Sequence, residues 1–142
     1  MTSQLNVDTI VDKAGSGGTN VKVGNTSTYV ADGGSATQNL VQGLAKGWFH
    51  YDGSGTTFAD SFNGSSATDR GTGSYDMNFT NNMSSDNYSC YGAVMAGGNR
   101  LFGGSGDGTP GINTSNFNVQ MYEHNTQADS THILSAMHGD LA

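Results

Sequence analysis

Ser74-Tyr75-Asp76-Met77-Asn78-Phe79-Thr80 alternates large apolar side chains with polar ones along its whole length. A strand turns successive side chains to opposite faces, so this period predicts Tyr75, Met77 and Phe79 on a buried face and Asp76, Asn78 and Thr80 on a wet one. The same alternation recurs in Asn116–Tyr122, where Phe117, Val119 and Met121 are interleaved with Asn118 and Gln120. His132–His138 sets Leu134 and Ala136 against Ile133, Ser135 and Met137. Gly47–Asp52 reads as a strand bearing Trp48, Phe49 and Tyr51, and Tyr88–Met95, mixed on both faces, reads as a central strand covered on both sides. Leu5–Val11 is a further strand and Val21–Val23 a short one.

Between these runs stand turn signals at close spacing: Asp52-Gly53-Ser54-Gly55, Asn63-Gly64-Ser65, Gly71-Thr72-Gly73, Asn81-Asn82 and Gly97-Gly98-Asn99, then the longer glycine stretch from Gly103 to Gly108. Gly, Asn and Asp tolerate the positive φ that tight hairpins require. Strands this short and this frequent predict an all-β fold, an antiparallel sandwich or jelly-roll-like pair of sheets. One short helix competes with a plain connector in Ala36–Lys46, where Leu40, Val41 and Leu44 share a face and Gly47 follows, although Gly43 weakens it.

Composition agrees with strands. Ser, Thr, Asn and Gly make up 67 of the 142 residues, and only 12% are charged. A single Glu, three Lys and two Arg leave few of the residues that fill exposed helix faces. The chain is polar without being charged, unlike disordered chains, which pair low hydrophobicity with high net charge. Its 34% apolar content predicts a modest core, and hence a domain that gains from oligomerisation.

The net charge of −7 argues against nucleic acid as a partner, because phosphate binding needs clustered Lys and Arg. No apolar run approaches the ~20 residues that span a bilayer, so no membrane insertion is expected. Met1-Thr2-Ser3-Gln4-Leu5 lacks the basic and apolar regions of a secretory signal, which predicts a chain used without export. One cysteine, Cys90, leaves no internal disulfide framework. Residues 1–46, poor in large side chains, read as a docking arm and connector, and residues 47–142 as the sandwich.

The middle of the chain carries a more specific pattern. Gly43-Leu44-Ala45-Lys46-Gly47-Trp48-Phe49 is followed by Tyr51-Asp52-Gly53-Ser54-Gly55-Thr56, Asp60-Ser61-Phe62-Asn63, Gly71-Thr72-Gly73-Ser74-Tyr75, Asn78-Phe79-Thr80-Asn81 and Asn87-Tyr88. In order and spacing these resemble a module of virion structural proteins of tailed bacteriophages, notably marine ones. Leu5-Asn6-Val7-Asp8-Thr9-Ile10 is similar to a start shared by many of them, with Asn6 where Lys is common. Gly139-Asp140-Leu141-Ala142 resembles their usual ending. The resemblance implies a β-rich, homotrimeric virion component assembled in the host cytoplasm, with other virion proteins as partners. Two placements follow from it: a tail fibre or spike that meets a host-surface glycan, or a capsid decoration protein that clamps capsid subunits. A soluble carbohydrate-binding module is the rival of another class.

The arm then docks through Leu5, Val7 and Ile10, which pair as a strand with a sister subunit or partner. Leu101, Phe102 and Pro110, around the glycine loop, are the candidate recognition tip. No catalytic residues and no cofactor are expected. Cys90 has no basic neighbour in sequence to activate it, and no nucleophile elbow, P-loop or zinc-protease motif occurs. His132 and His138 share a strand face, but six residues of strand set them ~20 Å apart, too far to hold one ion. A trimer axis gathering three copies of one histidine is the alternative to a hydrogen-bonded edge histidine. Asp52-Gly53 and Asp107-Gly108 lack the further acids of a calcium loop and read as turns. Trp48, Phe49, Tyr51, Tyr88 and Tyr91 are candidates for a sugar-stacking platform, or else for core and interface anchors.

Overall fold

The computed structural model describes residues 27–30, 34–95, 100–103 and 111–140. The chain divides into two compact units, Met1–Val41 and Gln42–Ala142. In the first, strands β1 (Thr28–Val30) and β2 (Thr37–Asn39) form an antiparallel pair, in register from Thr28 opposite Asn39. The expected strands Leu5–Val11 and Val21–Val23 lie outside the described residues, as do Leu5, Val7 and Ile10 of the docking arm.

Helix α1 is the single turn Leu40–Gly43. It occupies four of the eleven residues over which a helix competes with a connector. Thr37–Asn39 is already extended before it, and strand β3 (Ala45–Asp52) begins two residues after it. A segment this short gains too few internal hydrogen bonds to outlast the neighbouring strand pairings.

The second unit is an antiparallel β-sandwich. One sheet has the order β4 (Thr57–Phe62), β3, β11 (Ile133–His138), β7 (Ser89–Val94). The other runs β5 (Gly64–Gly71), β6 (Ser74–Phe79), β9 (Asn116–Glu123). Short β10 (Thr126–Gln127) and β8 (Arg100–Gly103) also pair with β9. The amide and carbonyl of Met121 serve Gly73 and Ala128, so β6 and β10 share one edge of β9 and β8 takes the other.

Alternation decides which side chains meet between the sheets. Phe49 and Tyr51 on β3 and Ile133 and Met137 on β11 face Tyr75, Met77 and Phe79 on β6 and Phe117, Val119 and Met121 on β9. All are buried. The centre is aromatic: Phe49 lies 5.7 Å from Phe117 and 6.2 Å from Phe79, and Tyr51 lies 5.1 Å from Tyr75.

Two turns close one end of the sandwich. In the β5–β6 hairpin Gly73 has φ +69°, and a Cβ there would lie 2.7 Å from the backbone nitrogen of Ala128, so only glycine fits. Its amide donates to Asp129 Oδ1 at 2.7 Å, and the same oxygen accepts from the Tyr75 hydroxyl at 2.5 Å. Gly53, in the turn after β3, donates its amide to the Ser130 carbonyl at 2.8 Å. One short segment, Ala128–Ser130, thereby ties both sheets together. The Asp52 carboxylate accepts the amides of Ser54 and Gly55, both at 3.0 Å, which makes Asp52-Gly53-Ser54-Gly55 a self-capped turn. The β9–β10 connection places His124 and Asn125 at φ +49° and +69°, the pattern of a two-residue type I′ hairpin.

Two expectations are corrected here. β7 is an edge strand, with Tyr91, Gly92 and Ala93 exposed, instead of a central one. Its apolar content is mostly small, and glycine and alanine lose little by facing water. The polar face of β6 is wet only toward its end: Asp76 is buried, Asn78 half-buried and Thr80 exposed, and Asn118 and Gln120 on neighbouring β9 are buried as well. Hydrogen bonds within the layer make this tolerable. Arg70 Nε donates to Asp76 Oδ2 at 2.7 Å, and Asn118 Nδ2 donates to Asp76 Oδ1 at 2.9 Å.

Candidate functional site

The outer face of the β4–β3–β11–β7 sheet differs from the hydrogen-bonded polar face opposite. Cross-strand register sets Phe62, Trp48, Ala136 and Tyr91 in one row, and Asp60, His50, Leu134 and Ala93 in the next. Phe62, Trp48 and Tyr91 are 53%, 39% and 56% exposed, unusual for large aromatic side chains. Because Ala136 is small, the space between Trp48 and Tyr91 is open. A groove of about 560 Å³ results, with Leu134, Ala136 and Ala93 on its floor and His50 and Asp60 at its side. That volume lies within the ~300–1,000 Å³ of small-molecule sites.

The polar groups around the groove are held in place. His50 Nε2 lies 2.9 Å from His132 Nδ1, so one ring donates and the other accepts. The Tyr91 hydroxyl meets His138 Nε2 at 3.2 Å, and the two rings stack with centroids 5.9 Å apart. The four histidines thus split: two form one pair, His138 orients Tyr91, and His124 sits in the hairpin turn. Asp60 Oδ1 accepts the amide of Ser61 at 2.8 Å. Among the described residues no three of His, Cys, Asp and Glu gather as metal ligands. No helix among them is long and apolar enough to cross a membrane. Cys90 is half-buried against the core, and burial pushes its thiol up, away from the reactive thiolate form.

The five aromatic side chains considered together in the sequence fall into two sets. Phe49, Tyr51 and Tyr88 are core, with the Tyr88 hydroxyl reaching the carbonyls of Asn113 and Asn116 at 2.9 and 3.0 Å. Trp48 and Tyr91 are exposed and flank the groove. Of the candidate recognition tip, Leu101 and Phe102 lie in strand β8, paired along the backbone with Tyr122 and Met121, while Pro110 is outside the described residues. Sequence reasoning did not single out Phe62, Asp60 or Ala136. The available signal was the period of β3, which puts Trp48 and His50 opposite Phe49 and Tyr51.

Fold and face together define a β-sandwich with a rigid aromatic core and one aromatic outer face. No protein-family model, no curated protein and no solved structure matches the chain.

Proposed function

We propose that this chain is a non-catalytic structural component of a phage virion, a homotrimeric appendage of tail-fibre or spike type. The arm around Leu5, Val7 and Ile10 docks it to sister subunits and other virion proteins by strand pairing. The sandwich is the rigid part that projects. The observation that carries the reading is the row Phe62, Trp48 and Tyr91, exposed over a close-packed sandwich. Large exposed apolar surface marks contact with a partner, and a β-sandwich holds it without induced fit. A surface of hydroxyls and amides supports the role too, since it depends little on charge pairs that salt screens within ~3–10 Å. The resemblance of the sequence pattern to phage virion proteins points the same way.

Deleting residues 1–13 is the test. The truncated chain is expected to keep the circular dichroism and melting temperature of the sandwich, which belongs to a separate compact unit, and to be lost from assembled particles. Normal incorporation of the truncated chain contradicts the docking role of the arm.

The groove itself favours a second reading, a soluble carbohydrate-binding module. Light scattering separates the two. The virion appendage is an oligomer whose association depends on the arm, whereas the module is a monomer with or without it.

A further inference from the structure

The groove on the outer sheet face is a binding site in its own right, and we infer that it takes a neutral saccharide. The inference deepens the proposal of an outward contact face and rests on that face being open in the assembled protein. Trp48 on β3 and Tyr91 on β7 are separated by the one strand β11, hence by about two strand spacings, ~9–10 Å. Side chains stand roughly perpendicular to a sheet. Between the two aromatic walls there is room for one saturated six-membered ring at van der Waals contact, ~3.5–4.0 Å, on each side. The floor at Ala136 carries no side chain large enough to fill the slot.

A sugar ring needs apolar surface for its C–H faces and hydrogen-bond partners at its edge for its hydroxyls. The groove supplies both. His50 is a partner at one side, with its ring orientation fixed by His132 at 2.9 Å. Asp60 Oδ2 is an acceptor there, since Oδ1 already serves Ser61. His138 stacks on Tyr91 at 16°, so that wall is set before a ligand arrives, which lowers the entropy lost on binding.

Charge narrows the class. The chain carries −7, no Lys or Arg among the described residues lines the groove, and Asp60 stands at its side, so uronate and sulfated sugars are repelled. A quaternary ammonium head group is better served by an enclosing aromatic cage than by two walls with open ends. A second copy of the chain would meet a concave slot with its own identical slot, which is poor self-complementarity for an isologous contact. The neutral ring is the occupant that fits shape, polarity and charge together.

The test is calorimetric titration of the full chain with cellotetraose, chitotetraose and mannotetraose, with oligogalacturonate and choline as competing ligands. At least one neutral oligosaccharide is expected to bind with a dissociation constant on the order of 1 mM, and to change the emission of Trp48, the only tryptophan. Tyr91→Ala and Ala136→Phe, the first removing a wall and the second filling the floor, are each expected to weaken binding about tenfold or more with the melting temperature of the sandwich retained. Ala136→Ser, which leaves the slot open, keeps binding and guards against a misfolded Ala136→Phe. Binding of oligogalacturonate or choline alone, no binding at all, or a change of oligomeric state in Tyr91→Ala overturns the assignment. Particle composition separates this from the broader proposal. A chain incorporated into particles but blind to sugars fails only the groove, and a chain that binds sugars but is absent from particles fails only the virion role.

Discussion

Replacing Phe117 by alanine is expected to destabilise the sandwich by about 3–5 kcal/mol, the largest effect of any single truncation in the core. Phe117 is fully buried and touches rings from both sheets: Phe49 at 5.7 Å on β3 and Phe79 at 5.9 Å on β6. Its removal leaves a cavity between two sheets that hydrogen-bonded strands hold apart, so collapse cannot close it. A domain of this size has about 5–15 kcal/mol in total, and each kcal/mol moves its melting temperature by ~4–8 °C. The melting temperature, followed by circular dichroism, should therefore fall by at least ~12 °C, or the transition should vanish. Trp48→Ala, on a side chain one residue from Phe49 but on the outer face and only partly covered, is expected to cost less, about 1–2 kcal/mol. Comparable losses from the two substitutions would contradict the assignment of inner and outer faces.

Stability should also fall steeply above pH 10. Burial raises the phenols of Tyr51, Tyr75 and Tyr88 above the ordinary tyrosine value of about 10, with the hydrogen bond to Asp129 adding to the effect at Tyr75 and the charge of Asp69 adding to it at Tyr51. The sign follows from linkage. Once the pH passes 10, the unfolded chain releases these protons while the folded chain retains them, so ionisation favours unfolding. The stabilisation is intact below pH 10 and is lost progressively until the folded values are passed. Each tyrosine contributes a slope approaching ~1.4 kcal/mol per pH unit. Urea midpoints between pH 8 and 11 measure it. A steep decline beyond pH 10, reduced by Tyr88→Phe, is expected; a flat midpoint to pH 11 would mean that these phenols are not buried in the folded protein.

The core was legible because β6, β9 and β11 alternate cleanly. Tyr75, Met77, Phe79, Phe117, Val119 and Met121 are all buried, as their period requires. β4 and β5 gave no such signal. Their residues, among them Thr57, Ala59, Ser65, Thr68 and Asp69, are mostly small or polar and exposed, and these strands exist because neighbours in register supply the ladder. β7 misled for a related reason: Ala93 and Val94 look like core in a list, whereas position at a sheet edge is set by pairing order, which sequence does not encode locally. The groove required one more step. Trp48 and Tyr91 lie 43 positions apart in the sequence, and only the order β3–β11–β7 places Ala136 between them. Alternation within Gly47–Asp52 could separate Trp48 from Phe49; nothing in the sequence could bring it to Tyr91.

The same division between an inner aromatic core and an outer aromatic face gives a chain with so little apolar content both a close-packed interior and an exposed aromatic patch. Its large side chains are concentrated in the sandwich, and three of the exposed ones, Phe62, Trp48 and Tyr91, share one sheet face. The proposed virion component, held by its arm and presenting that face, would use both. Quantitative mass spectrometry of purified phage particles tests this most directly. The account predicts the chain in every particle, at a few to a few dozen copies in multiples of three; its absence from particles would contradict it, and hundreds of copies would move it from the tail to the capsid surface.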